Sequence, residues 1–352
     1  MPTEANSTAE NAGRSARLLD NSGRSAPLDS PHCRSVHAHP PLSPVDIDGR
    51  NDELKGQFVW LGGRGTALEE EDIECYIAWP PPDVRPKSIV LMITDIFGLR
   101  TGRHCQMCDT LAEKSSFVVV CPDLIGDGQA RARAGLMTRW PVKHFANIID
   151  LLCCCKLPWL LRALPLTSAG TCAKLVQPRV QATLAFVAKE LSLRYPSLDM
   201  SSKPPPCVVV GFCWGATIAA HIIGWDTGAN PLPFDLKGGI GFHPSIQANT
   251  NGRELVRHLK APFILAPAGN DPPALHPGGE IADNLVNRFG HAFGGVPLLA
   301  PFEHQLHGFM TRGPLEDEQI AAAYQEGLSL IARFAHATLA SESDDGRRMG
   351  RE

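Results

Sequence analysis

The chain has 352 residues, 43% of them hydrophobic and 20% charged, ordinary values for a globular protein. Its 33 Lys and Arg against 37 Asp and Glu give a formal net charge of −4, so neither a nucleic-acid partner nor attachment to an anionic membrane is expected. Its 11 cysteines, an odd number without an apolar leader ahead of them, predict a reduced, cytoplasmic setting without structural disulfides, and no apolar run reaches the roughly 18 residues of a membrane span.

Residues 1–50 are rich in Ser, Ala, Asn, Pro and Arg and show no apolar periodicity, which predicts a disordered extension. Acidic residues from Glu4 to Asp48 interrupt its arginines and argue against an organelle-targeting peptide. Beyond it, strands are predicted over residues 58–61, 73–79, 88–94, 117–121, 207–210, 239–242, 263–268 and 296–299. Helices are predicted over 103–114, 142–161, 180–193, 216–223, 279–289 and 316–339. The first two strands have no helix between them and read as an antiparallel hairpin at one edge. The alternation that follows predicts an α/β fold, a mostly parallel central sheet with helices on both faces. The unbroken apolar runs Ile89 to Ile93 and Phe117 to Val120 suit strands buried on two sides. Residues 124–177 fit this alternation least well, with Pro158, Pro165 and the triple Cys153-Cys154-Cys155, and are read as a cap insert. The domain is therefore set at 51–340, with a loose polar tail at 341–352.

The most informative stretch is Val208-Val209-Val210-Gly211-Phe212-Cys213-Trp214-Gly215-Ala216. A β-branched strand runs through Gly-x-Cys-x-Gly into an apolar helix, the pattern of a nucleophile elbow with cysteine in the serine position. The sharp turn holds the nucleophile in strained backbone geometry, and the helix N-terminus behind it favours a thiolate. A buried, inert cysteine in a strand–turn is the plainer alternative.

A nucleophile of this kind needs a base and an orienting acid, which follow it in the order acid, then His. Asp271 closes the run Phe263-Ile264-Leu265-Ala266-Pro267-Ala268-Gly269-Asn270-Asp271 at the carboxyl end of a predicted strand, where α/β sites gather. Asn-Asp-Pro is also a strong turn signal, so a turn role stays open for Asp271. His307, before Gly308-Phe309 and ahead of the last helix, is the natural base, with His304 as its competitor. His276 and His291 sit less favourably, and His243, at a strand end before Asp271, reads as a satisfied structural histidine.

Four segments, Thr94-Asp95-Ile96-Phe97-Gly98-Leu99, Cys121-Pro122-Asp123-Leu124, Gly211-Phe212-Cys213-Trp214-Gly215-Ala216 and His307-Gly308-Phe309, give the chain a resemblance to the dienelactone hydrolase (carboxymethylenebutenolidase) family. The resemblance implies an α/β-hydrolase fold and a catalytic triad of Cys213, His307 and Asp271. It implies that Asp95, otherwise a strand-end or helix-capping residue, holds the resting thiol and releases it when substrate arrives, and that the backbone N–H groups of Ile96 and Trp214 form an oxyanion hole. It places Arg312 where the family often has an arginine that grips a substrate carboxylate, a solvated surface arginine being the other reading. The second such arginine has no match after Asp123. No metal or organic cofactor is implied, and a monomer acting on a small lactone or ester is expected. Two other functions stay open: a carboxylesterase or thioesterase for larger acyl groups with the insert as lid, and a catalytically idle fold used in binding or thiol redox sensing. The Cys105-Gln106-Met107-Cys108 spacing reads as packing rather than a redox or metal site.

Overall fold

The computed structural model describes residues 17–19, 25–27, 54–61, 73–100, 102–125, 172–200, 202, 204–225, 232–246 and 250–349. The strands are β1 (Arg17–Leu19), β2 (Ser25–Pro27), β3 (Gln57–Leu61), β4 (Ile73–Ala78), β5 (Ser88–Ile93), β6 (Phe117–Pro122), β7 (Cys207–Phe212), β8 (Leu236–Phe242) and β9 (Phe263–Ala266), followed by β10 (Ala292–Phe293) and β11 (Val296–Pro297). The first nine form one sheet in the order β2-β1-β3-β4-β6-β5-β7-β8-β9. The five strands from β6 to β9 in that order run parallel. The four on the other side are antiparallel. β3 and β4 form the expected hairpin.

The helices are α1 (His104–Ser115), α2 (Gln177–Arg194), α3 (Trp214–Gly224), α4 (Thr250–His258), α5 (Glu280–Phe289), α6 (Phe309–Arg312) and α7 (Glu318–Met349). α1 and α7 pack against each other and on the sheet, α2 and α3 also pack on it, and α4 packs on α3 and α5. Every residue of β5, β6 and β7 is buried, which is why their sequences are continuously apolar rather than alternating. Phe212 stacks on Phe242 of the next strand with centroids 5.5 Å apart, so the sheet beneath the site is itself tightly packed.

The structure departs from the sequence reading in four places. Arg17–Leu19 pairs with β3 and Ser25–Pro27 with β1, so these two triplets are ordered within a stretch expected to be disordered. An unpaired edge strand offers a row of free N–H and C=O groups to any nearby segment, and three residues are too few to show a pattern. The last helix runs on to Met349, through much of the expected loose tail, because extending a formed helix costs far less than starting one. The strand expected over 296–299 is a two-residue strand pairing with β10, and only Leu299 bridges back to β9, through Leu265. α4 was not anticipated, since its sequence Thr-Asn-Gly-Arg-Glu-Leu-Val-Arg-His carries too few apolar positions to show a period. Cys105 and Cys108 are buried in α1 against Leu99 O and Met92 Sδ, and burial pushes both thiols up. The expected cap helix over 142–161 lies outside the described residues, as does most of the insert.

Candidate active site

β7 delivers Cys213 at its carboxyl end. The residue caps α3 with φ 54° and ψ −117°, a left-sided conformation rare outside glycine. The flanking glycines make that turn possible. A Cβ on Gly211 would overlap the Gly215 carbonyl and meet Ala216 N at 2.6 Å, and one on Gly215 would overlap Thr94 O and lie 2.6 Å from Ile93 O. The elbow thus sits directly on the end of β5. Cys213 is 7% exposed. Its Sγ lies 3.2 Å from Ser245 Oγ and within hydrogen-bonding reach of the His307 ring.

β9 leads into Asp271. One carboxylate oxygen accepts the Ala268 N–H at 2.7 Å, and the other lies 2.6 Å from His307 Nδ1. Asp271 is a turn residue as well as the partner of His307, so the two readings of this position coexist. The loop carrying His307 is laced to the turn before Asp271. Gly269 N–H donates to the carbonyls of Phe302 (3.1 Å) and Gln305 (2.9 Å), and His307 N–H donates to Asn270 Oδ1 at 2.7 Å. Burial opposes a charge on the His307 ring, but the Cys213 sulfur and the Asp271 carboxylate outweigh it and raise the group to about 10. His304 and His291 are exposed and His276 lines the α5 end, so His307 is the imidazole brought to Cys213.

β5 delivers Asp95 and Ile96. Asp95 donates its backbone N–H to His104 Nε2 at 3.2 Å. Its carboxylate accepts from Phe97 N–H at 2.9 Å, Thr311 Oγ1 at 3.0 Å, and Arg312 Nε and a terminal guanidinium nitrogen at 3.0 and 3.1 Å. Burial resists this charge, yet Arg312 and the Phe97 N–H hold the carboxyl at about 2. The sequence reading had Asp95 holding the thiol and Arg312 gripping a substrate. The structure instead joins the two in a fork, because each is nearly sealed from water and a buried charge needs a counter-charge. Arg312 also lies 4.3 Å above the Phe97 ring. The backbone N–H groups of Ile96 and Trp214, on either side of the elbow, have no acceptor among the described residues.

Four contributors were not singled out from sequence. Asn270 and Ser245 sit beside recognisable turn residues and were within reach of such a reading. Thr311 and Arg103 carried no signal. Arg103 donates its backbone N–H to Thr311 O at 3.1 Å and its guanidinium to the Met310 and Gly313 carbonyls, which anchors α6. His243 corrects the reading of a satisfied histidine. It is fully buried with φ 34°, neither ring nitrogen has a partner among the described residues, and its ring lies edge-on to His307 at 4.9 Å. Burial, aided by the His307 charge, pushes it well below the usual histidine range.

A model of the dienelactone hydrolase family matches residues 73–336, about three quarters of the chain. The chain belongs to the dienelactone hydrolase family. It is by that membership a carboxylic-ester hydrolase. Among curated proteins none matches it. Solved structures with similar folds include a dienelactone hydrolase-like promiscuous phosphotriesterase from metagenomic libraries (15% identity, 80% of this chain and 97% of that one, TM-score 0.47). Two others are a thermophilic carboxylesterase from a metagenomic library (16%, 81% and 89%, 0.45) and a propionate-bound esterase of Thermogutta terrifontis (17%, 83% and 95%, 0.44). Among the described residues no helix is long and apolar enough to cross a membrane.

Proposed function

We propose that this dienelactone hydrolase family member cleaves a lactone or ester bond through a covalent acyl-thioester on Cys213. The Cys213 thiolate attacks the carbonyl carbon, and the oxyanion that forms takes hydrogen bonds from the N–H groups of Ile96 and Trp214. His307 then passes its proton to the departing alkoxide, leaving a thioester. Water attacks the thioester, its proton returns to His307, and the carboxylic acid leaves as the thiolate re-forms. Asp271 fixes the ring through Nδ1, which turns Nε2 toward the sulfur. Asp95, paired with Arg312, sets the position of the loop that presents the Ile96 N–H.

The observation that carries this reading is the 2.6 Å Asp271–His307 bond behind an imidazole that touches a strained elbow cysteine. The test is hydrolysis of p-nitrophenyl acetate and of a small enol-lactone by the wild type and by Cys213→Ala. The variant is expected to lose about 10³-fold or more in kcat/KM, and incubation with ester is expected to add one acyl mass to Cys213. A Cys213→Ala protein as fast as the wild type on both substrates would end the proposal.

A further inference from the structure

We propose that Ser245 is a further catalytic residue, whose hydroxyl donates a hydrogen bond to the Cys213 thiolate and so sets both its population and its reactivity. The inference rests on the reading of Cys213 as nucleophile.

Three observations carry it. Ser245 Oγ lies 3.2 Å from Cys213 Sγ. The backbones are fastened on both sides of that contact, with Ser245 N–H donating to Cys213 O and Cys213 N–H donating to Phe242 O, each at 3.0 Å. The chain also takes a strained route to this position: after β8 it passes through His243 at φ 34° and Pro244 before turning back over the elbow. Proteins keep such backbone geometry where the surroundings enforce it, most often at functional sites.

Charge decides which atom donates. In the attacking state of the proposed mechanism the proton is on His307 and Sγ is a thiolate that only accepts, so in that state the Ser245 O–H is the donor. A hydroxyl bond to a charged acceptor shifts such an equilibrium by about tenfold. The stabilised thiolate is more abundant at acid pH, but each one is a weaker nucleophile, by about threefold for a tenfold change in population. Besides His307, with Asp271 behind it, the titratable and charged groups around the sulfur are His243 from β8 and the Asp95–Arg312 pair at the end of β5, with His104 behind Asp95. A substitution at 245 alters none of them.

The test is the rate of Cys213 alkylation by iodoacetamide, followed by peptide mass spectrometry from acid to alkaline pH, in full-length wild type, Ser245→Ala and Ser245→Thr. Ser245→Ala is expected to react about threefold more slowly at the acid end, where it holds about tenfold less thiolate, and about threefold faster at the alkaline end, where both are ionised. The two profiles therefore cross, and Ser245→Thr, which keeps the hydroxyl, returns to the wild-type curve. Superimposed profiles, a uniform slowing at all pH values, or a threonine variant that behaves like alanine would overturn the proposal. Ser245→Gly gives the same reading should the alanine variant fail to fold. Ester hydrolysis by Cys213→Ala is read separately, so a failure of the nucleophile assignment is distinct from a failure of the Ser245 contact.

Discussion

Replacing Arg312 by methionine keeps most of the side-chain volume and removes the guanidinium. Asp95, 2% exposed in the wild type, would then lose its guanidinium partner and keep the Thr311 hydroxyl and the Phe97 N–H on its carboxylate. Two magnitudes bear on the outcome, and they measure different things. With Arg312 in place the Asp95 carboxyl sits at about 2 rather than 3.8, a difference that contributes roughly 2.5 kcal/mol at neutral pH relative to a solvated carboxylate. Deleting one partner of a buried pair costs more, about 3–5 kcal/mol, because the surviving charge keeps its full desolvation penalty. Arg312→Met should therefore lose about 3–5 kcal/mol, and the double variant with Asp95→Asn should regain at least about 1 kcal/mol by removing the orphaned charge. A carboxyl depressed by folding stabilises the protein above its unfolded value of 3.8, and that contribution fades as pH falls toward about 2. The stability gap between wild type and Arg312→Met should accordingly narrow through this acid window. Urea unfolding at neutral pH and along an acid series measures all of these quantities. A neutral-pH loss below about 1 kcal/mol, which is the range of a surface pair, or a gap that widens on acidification, would refute the argument.

Four more outcomes follow from the site. His307 is raised from 6.5 to about 10, so the stability it adds is full below 6.5 and lost as pH rises through about 10; the alkaline limb of kcat/KM should fall there too. Asp271→Asn should move that limb to lower pH and cut kcat by about 10²–10⁴-fold, and an unmoved limb would separate Asp271 from the His307 proton. Gly215→Ala forces a methyl group against the Thr94 and Ile93 carbonyls and should cost about 1–3 kcal/mol or more in thermal or urea unfolding, with kcat reduced as the end of β5 is pushed from the elbow. Asn270→Ala removes the acceptor of the His307 N–H and should lower kcat about tenfold, the size of one lost hydrogen bond, while KM for p-nitrophenyl acetate stays near the wild-type value.

What the sequence disclosed and what it hid divide along the range of the interactions. The elbow, the central strands and the positions of Asp271 and His307 were legible because each is written in a contiguous run: β-branched residues, a glycine on either side of Cys213, a turn after β9. The fork between Asp95 and Arg312 was not legible, because it joins residues 217 positions apart. Each partner alone invites a role toward substrate or thiol, and only the shared burial shows that each is the other's counter-charge. Arg103 was hidden for the same reason, since its carbonyl acceptors lie more than 200 residues downstream. His243 differs from its reading because a histidine at a strand end is usually hydrogen-bonded, and nothing in the local sequence reports that its ring packs among Phe212 and Phe309 with neither nitrogen partnered among the described residues.

Under the proposed mechanism, the sheet order explains why an imidazole stands between the sulfur and the carboxylate. Four adjacent parallel strands, β5, β7, β8 and β9, end at the same edge, and each presents its own group there: Asp95 with Ile96, Cys213, Ser245, and Asp271. Neighbouring strands lie about 4.8 Å apart. Groups at the ends of β5 and β8 therefore flank Cys213 closely enough to touch the elbow, as the contacts of Thr94 and Ser245 do. β9 is two strands from β7, about 10 Å away, and a carboxylate there cannot reach the sulfur. The chain closes that distance from outside the sheet. After β9 it returns along the sheet edge, bridging Leu265 to Leu299 and Ala268 to Phe302, and the loop that follows drops His307 between the two strand ends. An acid moved one strand nearer, to the end of β8, would press directly against the thiolate and repel it. The spacing that makes Asp271 useful is the spacing that keeps it from touching Cys213.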